Sequence, residues 1–260
     1  MYNSSENNIY NSFSFGTGQG ATKNGSDGSI IITKSETSSG NIIGMQGGKN
    51  LYNAYANTSD GVNTNVRAVG KINITHNGYG DVIGIRGTNS AGKINNALAY
   101  LNSAVSDAVA EGSIVLSGKG NVYGIYGNGT IANSETQFNK NYNMLKDFSS
   151  HGVIDVTTRS DTAAAYGIYA AGAKDTKTSV YNAMGYNSTG DIKVRNTSGG
   201  SAFGIYSAAQ TYTGDDDVVY YNNTYNAFRS SAIYGDSVAT GNIDMTIEGY
   251  SSLGQQVAGI

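Results

Sequence analysis

A two-part phrase recurs six times along this chain, and that recurrence limits the available folds more than any other feature. At Gly112–Gly127 it reads GSIVLSGKGNVYGIYG: an apolar run, Ile114-Val115-Leu116, then a polar turn, then a second run, Val122–Tyr126. Related phrases begin at Gly28, Gly70, Gly152, Gly190 and Gly241, so the spacing is about 40 residues and varies with the connecting loops. Uneven spacing around a fixed motif suits strands stacked in register with variable turns between them.

Within the first run the apolar residues alternate, as in Ile72/Ile74, Ile154/Val156, Ile192/Val194 and Ile243/Met245. Alternation at period 2 marks a half-buried strand. The second run reads the same way, with Ile43/Met45, Ile83/Ile85, Tyr123/Ile125, Tyr166/Ile168 and Phe203/Ile205 expected inward. The intervening Gly and the residue after the pair are expected outward. A weaker third run is expected at Tyr52–Ala54, Asn95–Ala97, Tyr142–Met144, Tyr181–Ala183 and Tyr225–Ala227. Three short strands per repeat make one triangular coil. A single coil cannot bury its inward face or pair its edges. Stacking coil on coil at about 4.8 Å does both. The glycine heading each first run is expected to serve a corner, through positive φ or its missing Cβ. Between Ile94 and Ala110 the apolar residues fall at helical spacing, which predicts a short helix there; Phe138–Phe148 is a poorer case.

Composition agrees with a folded repeat. Pro and Cys are absent, so strand N–H groups stay available and disulfides are excluded. Charged residues are 13%, the net charge is −3, and Lys and Arg are scattered, so no footprint for nucleic acid or an anionic membrane is seen. Residues 1–27 form a polar segment, expected to cover the first coil, and residues 28–260 carry the repeats. The N-terminus has no signal-peptide pattern and no stretch could span a bilayer as a helix. The C-terminus stops inside a second run at Ile260, which reads as the cut edge of a longer protein.

Tandem G-x-I-x-V followed by G-x-A/V-Y/F-G-I-Y, sharpest at Gly112–Gly127, Gly152–Tyr169 and Gly190–Tyr206, resembles the passenger repeats of bacterial autotransporters (type V secretion). The resemblance spans about residues 28–260. It implies an all-β fold, a right-handed parallel β-helix of about six coils, displayed on the bacterial surface or secreted. It also implies an adhesin-like or self-associating role toward a surface protein, a glycan or another copy. The chain lacks the family's signal peptide and C-terminal membrane barrel.

Candidate chemistry is sparse. Asp215-Asp216-Asp217 is the only acidic run, and as adjacent loop residues its members are expected to be solvated rather than to hold Ca²⁺. His76 and His151 lack partners at ligand spacing and read as surface turn residues. Asp155, Asp191, Asp244 and Lys193 fall on the outward side of the first run, where a polysaccharide lyase or hydrolase would cluster its carboxylates. Equivalent positions elsewhere carry Ser29, Lys71, Asn73 and Ser113, so polar decoration is the expectation. No cofactor, metal or catalytic residue is assigned. Tyr126, Tyr169 and Tyr206 share one repeat position, continued by Arg86 and Gln46. They form the candidate partner-binding column. The alternatives are a polysaccharide-active β-helix enzyme and a self-assembling filament or coat subunit.

Overall fold

The computed structural model describes residues 2–3, 8–17, 22–35, 39–59, 64–88, 92–103, 106–138, 148–171, 178–208, 223–229, 238–249 and 254–260. A lone strand, β1 (Tyr2–Asn3), precedes six coils of three strands. The first coil is β2 (Ile9–Gly16), β3 (Thr22–Lys34) and β4 (Ile42–Gly47). The second is β5 (Leu51–Thr58), β6 (Thr64–His76) and β7 (Val82–Gly87), and the third β8 (Lys93–Leu101), β9 (Ala108–Gly118) and β10 (Val122–Gly127). The fourth is β11 (Thr130–Phe138), β12 (Phe148–Thr158) and β13 (Ala165–Ala170). The fifth is β14 (Ser179–Met184), β15 (Ser188–Asn196) and β16 (Ala202–Ser207), and the sixth β17 (Asn223–Phe228), β18 (Ala239–Ile247) and β19 (Val257–Ala258).

Each strand pairs in parallel with its counterparts one coil above and below. The result is three sheets: β3-β6-β9-β12-β15-β18 from the first runs, β1-β4-β7-β10-β13-β16-β19 from the second, and β2-β5-β8-β11-β14-β17 from the third. The chain is a parallel β-helix of six coils. Register superposes like on like: Gly112 over Gly152 over Gly190, and Ile114 over Ile154 over Ile192.

The bore has two chambers. In the larger, Ile72, Ile114, Ile154 and Ile192 of the first-run sheet meet Ile85, Ile125, Ile168 and Ile205 of the second and Ile94, Ile131 and Val180 of the third. In the narrower, the upstream half of the first-run strands lies against the third-run sheet through Ala54, Ala56, Ala68, Ala97, Ala99, Ala108 and Ala110. Small side chains let the two sheets close on one another. Where they meet, each third-run Asn lies against a first-run Gly. A Cβ on Gly152, for instance, would fall inside contact with the Asn133 carbonyl oxygen.

Those asparagines form a continuous ladder. Asn53 Nδ2 donates to Asn96 Oδ1 at 2.8 Å and to Gly70 O at 2.9 Å, Asn96 Nδ2 to Asn133 Oδ1 at 2.9 Å, and Asn133 Nδ2 to Asn182 Oδ1 at 3.0 Å. Asn11 opens the series onto Asn53 at 2.8 Å, and Asn226 ends it, accepting from Asn182 at 2.9 Å. A primary amide carries donor and acceptor on one carbon, so a column of them satisfies itself. Asn53, Asn96, Asn133 and Asn182 are fully buried.

Several expectations are corrected. Among the described residues of 94–110 no helix forms: β8 runs to Leu101 and β9 starts at Ala108, with Ala97, Ala99 and Leu101, then Ala108 and Ala110, inward at period 2. Pairing with neighbouring coils overrides a spacing that one strand cannot distinguish from a helix. Phe138 and Phe148 are likewise strand residues, and 139–147 lie outside the described residues, Tyr142–Met144 with them. The third run of that coil is β11, with Asn133 on the ladder. First-run glycines are mid-strand and none has positive φ; they are needed for the close approach of Asn. Within residues 1–27, β2 and the start of β3 are strands of the first coil itself.

The second run breaks the expected alternation. In β10, Gly124 and Ile125 both face the bore, while Tyr123 and Tyr126 share the outer face. A Cβ on Gly124 would collide with Ile154 Cγ2 and with the Gly167 carbonyl. The glycine therefore occupies an inward position that admits no side chain. Ile43, Ile83, Tyr123, Tyr166 and Phe203 occupy outward positions instead.

Candidate functional site: an aromatic face on the second-run sheet

This reversal doubles the expected column. Two files of rings now run along the outer face. Tyr123, Tyr166 and Phe203 stack at centroid spacings of 4.9 and 5.0 Å, and Tyr126, Tyr169 and Tyr206 at 5.1 Å per step. Across the strand the files meet edge to face, at 5.4 Å for Tyr123–Tyr126 and 5.1 Å for Tyr166–Tyr169. The structure thus brings together all three sequence-chosen tyrosines and adds Tyr123, Tyr166 and Phe203. The signal for the second file was present, since its residues share one repeat position. Period-2 counting assigned it to the wrong side.

The stacking decides what the face offers. Ring planes lie against the next coil's ring, so edges and hydroxyls are left for a partner. Tyr206, at 37% exposed, is the most open of the six rings. At the other end of its file the Arg86 guanidinium lies 5.8 Å from the Tyr126 centroid, a cation–π contact. Burial first, and then the neighbouring tyrosines together with Asp81 for Tyr123 and Tyr166, push the phenols of Tyr123, Tyr166 and Tyr169 above their ordinary value. They remain neutral hydrogen-bonding groups at physiological pH.

Polar grooves flank the face. One, of about 380 Å³, runs beside Arg86, Thr88, Tyr126, Asn128 and Tyr169. The other, of about 760 Å³, lies over the turns that join first to second runs and is lined by Tyr79, Asp81, Lys119, Arg159 and Asp161. Tyr79 there is 71% exposed, with the Lys119 amine 5.7 Å from its centroid.

The remaining candidates are already engaged. Asp191 accepts from Asn242 at 2.7 Å and pairs with His151 at 2.7 Å. Burial works to raise its carboxyl, but these contacts prevail and hold it below the usual range. Asp155 meets Arg195 at 3.4 Å, and in register Lys193 stands between Asp155 and Asp244. These acids alternate with bases up the sheet rather than converging on a substrate. His151 is exposed as expected. His76 is fully buried, which corrects the surface assignment: its Nδ1 accepts from the Gly78 N–H at 3.1 Å, so Nε2 carries the proton given to Gly40 O at 3.1 Å. Asp215–Asp217 lie outside the described residues.

Sequence reading also missed Glu135, a fully buried carboxylate on the third-run sheet. Asn95 Nδ2 reaches it at 2.5 Å, Gln137 also donates, and the Lys93 amine is 3.8 Å away. Its charge is thereby satisfied from three sides.

Among the described residues, no helix is long and apolar enough to cross a membrane and no group of three His, Cys, Asp or Glu converges. No family model matches the chain, and no curated protein or solved structure does either. Fold and face together define a class, a parallel β-solenoid with an aromatic outer stripe.

Proposed function

We propose that this chain is a non-enzymatic display module, an adhesin-like segment of the autotransporter-passenger type, carried on the bacterial surface or secreted. It contacts a surface protein through the aromatic face of the second-run sheet. The observation that carries this reading is the double file of rings, Tyr123/Tyr166/Phe203 and Tyr126/Tyr169/Tyr206, on an outer face between two grooves. Stacking within the files supports a protein partner over a glycan, because sugar rings bind aromatic planes and the planes between successive rings are covered. Edges and hydroxyls suit the mixed apolar and polar surface of a protein interface.

The test uses labelled chain on cultured cells and on bacterial cells, untreated or pretreated with protease or glycosidase. Aromatic contacts contribute about 0.5–1.5 kcal/mol each beyond area burial, so Tyr126→Ser, Tyr169→Ser and Tyr206→Ser together should weaken binding at least about tenfold. Protease pretreatment should abolish binding. Unchanged binding by the folded triple variant would remove the face from the contact, and loss only after glycosidase would reassign the partner to a glycan.

A further inference from the structure

We propose that the groove over the turns joining first to second runs is a saccharide site, taking a short uncharged oligosaccharide with the ring of Tyr79 as its platform. The inference does not depend on the partner-binding reading, because the groove shares no lining residue with the double file of rings. Its lining comes from the second to the fifth coils, so every turn that builds it has a coil on either side.

Tyr79 differs from the six rings of the aromatic face in what it leaves open. Those rings cover one another's planes, whereas Tyr79 is 71% exposed and no other ring lies against it among the described residues. The Lys119 amine stands 5.7 Å from its centroid, and a single ammonium occupies only one side of a ring. The other plane is open to the C–H face of a sugar ring, the apolar side of an otherwise polar molecule. The position of Tyr79, one residue before the paired Gly-Asx step, carries Ser39 in the first coil and Lys119 in the third. The ring is therefore not a product of the repeat.

The platform is held in place from beneath. Buried His76 accepts from the Gly78 N–H through Nδ1 and donates through Nε2 to Gly40 O, both at 3.1 Å. The Gly40 N–H in turn donates to the Tyr79 carbonyl at 3.1 Å. The imidazole thus fixes the tight turn that carries Tyr79. Its register partner in the first coil is Lys34, so stacking alone does not require a histidine here. A ring held in this way loses little freedom when a ligand settles on it.

Around the platform the polar groups have more capacity than the fold uses. Asn41, Asp81 and Asn121 share one position, and the Oδ1 of each accepts a backbone N–H from the next coil, from Asp81 at 2.9 Å, Asn121 at 3.1 Å and Ala164 at 3.0 Å. An amide suffices for that contact in the first and third coils. The carboxylate of Asp81 adds a second oxygen, Oδ2, which accepts no hydrogen bond among the described residues. Asp161 is exposed and makes no ion pair or side-chain hydrogen bond among them. Arg159 spans the third coil to reach the second, where Nη2 donates to Asn77 Oδ1 at 3.0 Å and to His76 O at 3.3 Å. These bonds hold the guanidinium over the groove and leave Nε and Nη1 without a described acceptor.

Charge selects the class of ligand. Lys119 and Arg159 offset Asp81 and Asp161, so the groove carries no net charge to draw an acid or a base. It offers donors and acceptors interleaved beside an open aromatic plane. A vicinal diol uses both, since one hydroxyl accepts from the Arg159 guanidinium while its neighbour donates to an Asp81 or Asp161 oxygen. The groove's volume, about 760 Å³, lies in the upper part of the range for small-molecule sites, about 300–1,000 Å³. Its size and chemistry fit a short oligosaccharide.

The test titrates the whole chain with maltotriose, cellotriose and the N-acetylglucosamine trimer, followed by saturation-transfer NMR and calorimetry, with a galacturonic acid trimer as the charged comparison. At least one neutral trimer should bind saturably, and the charged trimer at least about tenfold more weakly. Tyr79→Ala should weaken binding at least about tenfold and Tyr79→Phe less than about twofold, since the ring plane and not the hydroxyl is the contact. Asp81→Asn keeps the Oδ1 that accepts from Asn121, so the melting temperature should hold while binding weakens about fivefold. The Tyr126/Tyr169/Tyr206→Ser triple should bind the trimer as the unsubstituted chain does, even where it no longer binds cells. Absence of binding by every neutral trimer would overturn the proposal, as would equal or tighter binding of the charged one. So would unchanged affinity in folded Tyr79→Ala or in Asp81→Asn, or loss of sugar binding in the tyrosine triple. Each of these results leaves the protein-binding reading of the aromatic face to stand or fall on its own assay.

Discussion

The asparagine ladder and the tyrosine ladder are both built from one residue type repeated once per coil, yet they have opposite standing in the molecule. The asparagines run through all six coils, lie where two sheets close on each other, and satisfy backbone carbonyls as well as one another. The tyrosines span three coils, lie outside, and give way to Arg86 and Gln46 below. A ladder that every coil needs belongs to the architecture. One that occupies half the rod is not demanded by stacking. Repetition alone therefore does not identify a binding surface; the side of the strand on which it falls does.

Substitutions can break or sharpen this contrast. The largest effect is expected inside the bore: Ile192→Asp places an unpaired carboxylate at a 2% exposed position, and loss of cooperative thermal unfolding by circular dichroism is the expected result. Next is Asn133→Ala, which removes three donor contacts and the acceptor for Asn96, with a cost of about 2–4 kcal/mol in denaturant titration. A loss under about 0.5 kcal/mol would mean the ladder is not structural. The Tyr126/Tyr169/Tyr206→Ser triple should cost about 1–3 kcal/mol from lost ring stacking, less than the bore substitution.

Alkaline titration probes the same rings without mutation. Burial raises the phenols of Tyr52, Tyr55, Tyr123, Tyr166 and Tyr169, so the folded chain holds protons that the unfolded chain releases above pH 10. Their stabilisation is fully present below pH 10 and is lost as pH rises beyond it. Phenolate absorbance should accordingly show a late class that appears together with unfolding. A single transition at the ordinary tyrosine value, with the fold intact, would contradict the buried stacking. The smallest effect is expected at Lys193→Asp, beside Ile192 but outward. There it joins Asp155 and Asp244 in a row of like charge and costs about 1 kcal/mol or less.

Much of this was legible in the sequence. Gly112, Gly152 and Gly190 announced the register, and Ile114, Ile154 and Ile192 the inward side of the first run, because period-2 alternation is a local property of one strand. The column Tyr126, Tyr169 and Tyr206 followed from the same register. Two features of the third run and its approach to the first were not legible. The Ile94–Ala110 stretch fits a helix and two strands equally well until a neighbouring coil offers hydrogen bonds to one of them. Asn133 is an ordinary polar residue until Gly152 approaches it.

By itself, then, the sequence determined the number of coils, the stacking register and the residues that share each ladder, since these depend only on what recurs and how often. Tertiary structure decided which side of the second run faces out. Gly124 points into a space already filled by Ile154 and the Gly167 backbone, which forces Ile125 inward after it and turns Tyr123 outward beside Tyr126. That choice depends on the distance to the next strand, a quantity that no pattern within one strand contains.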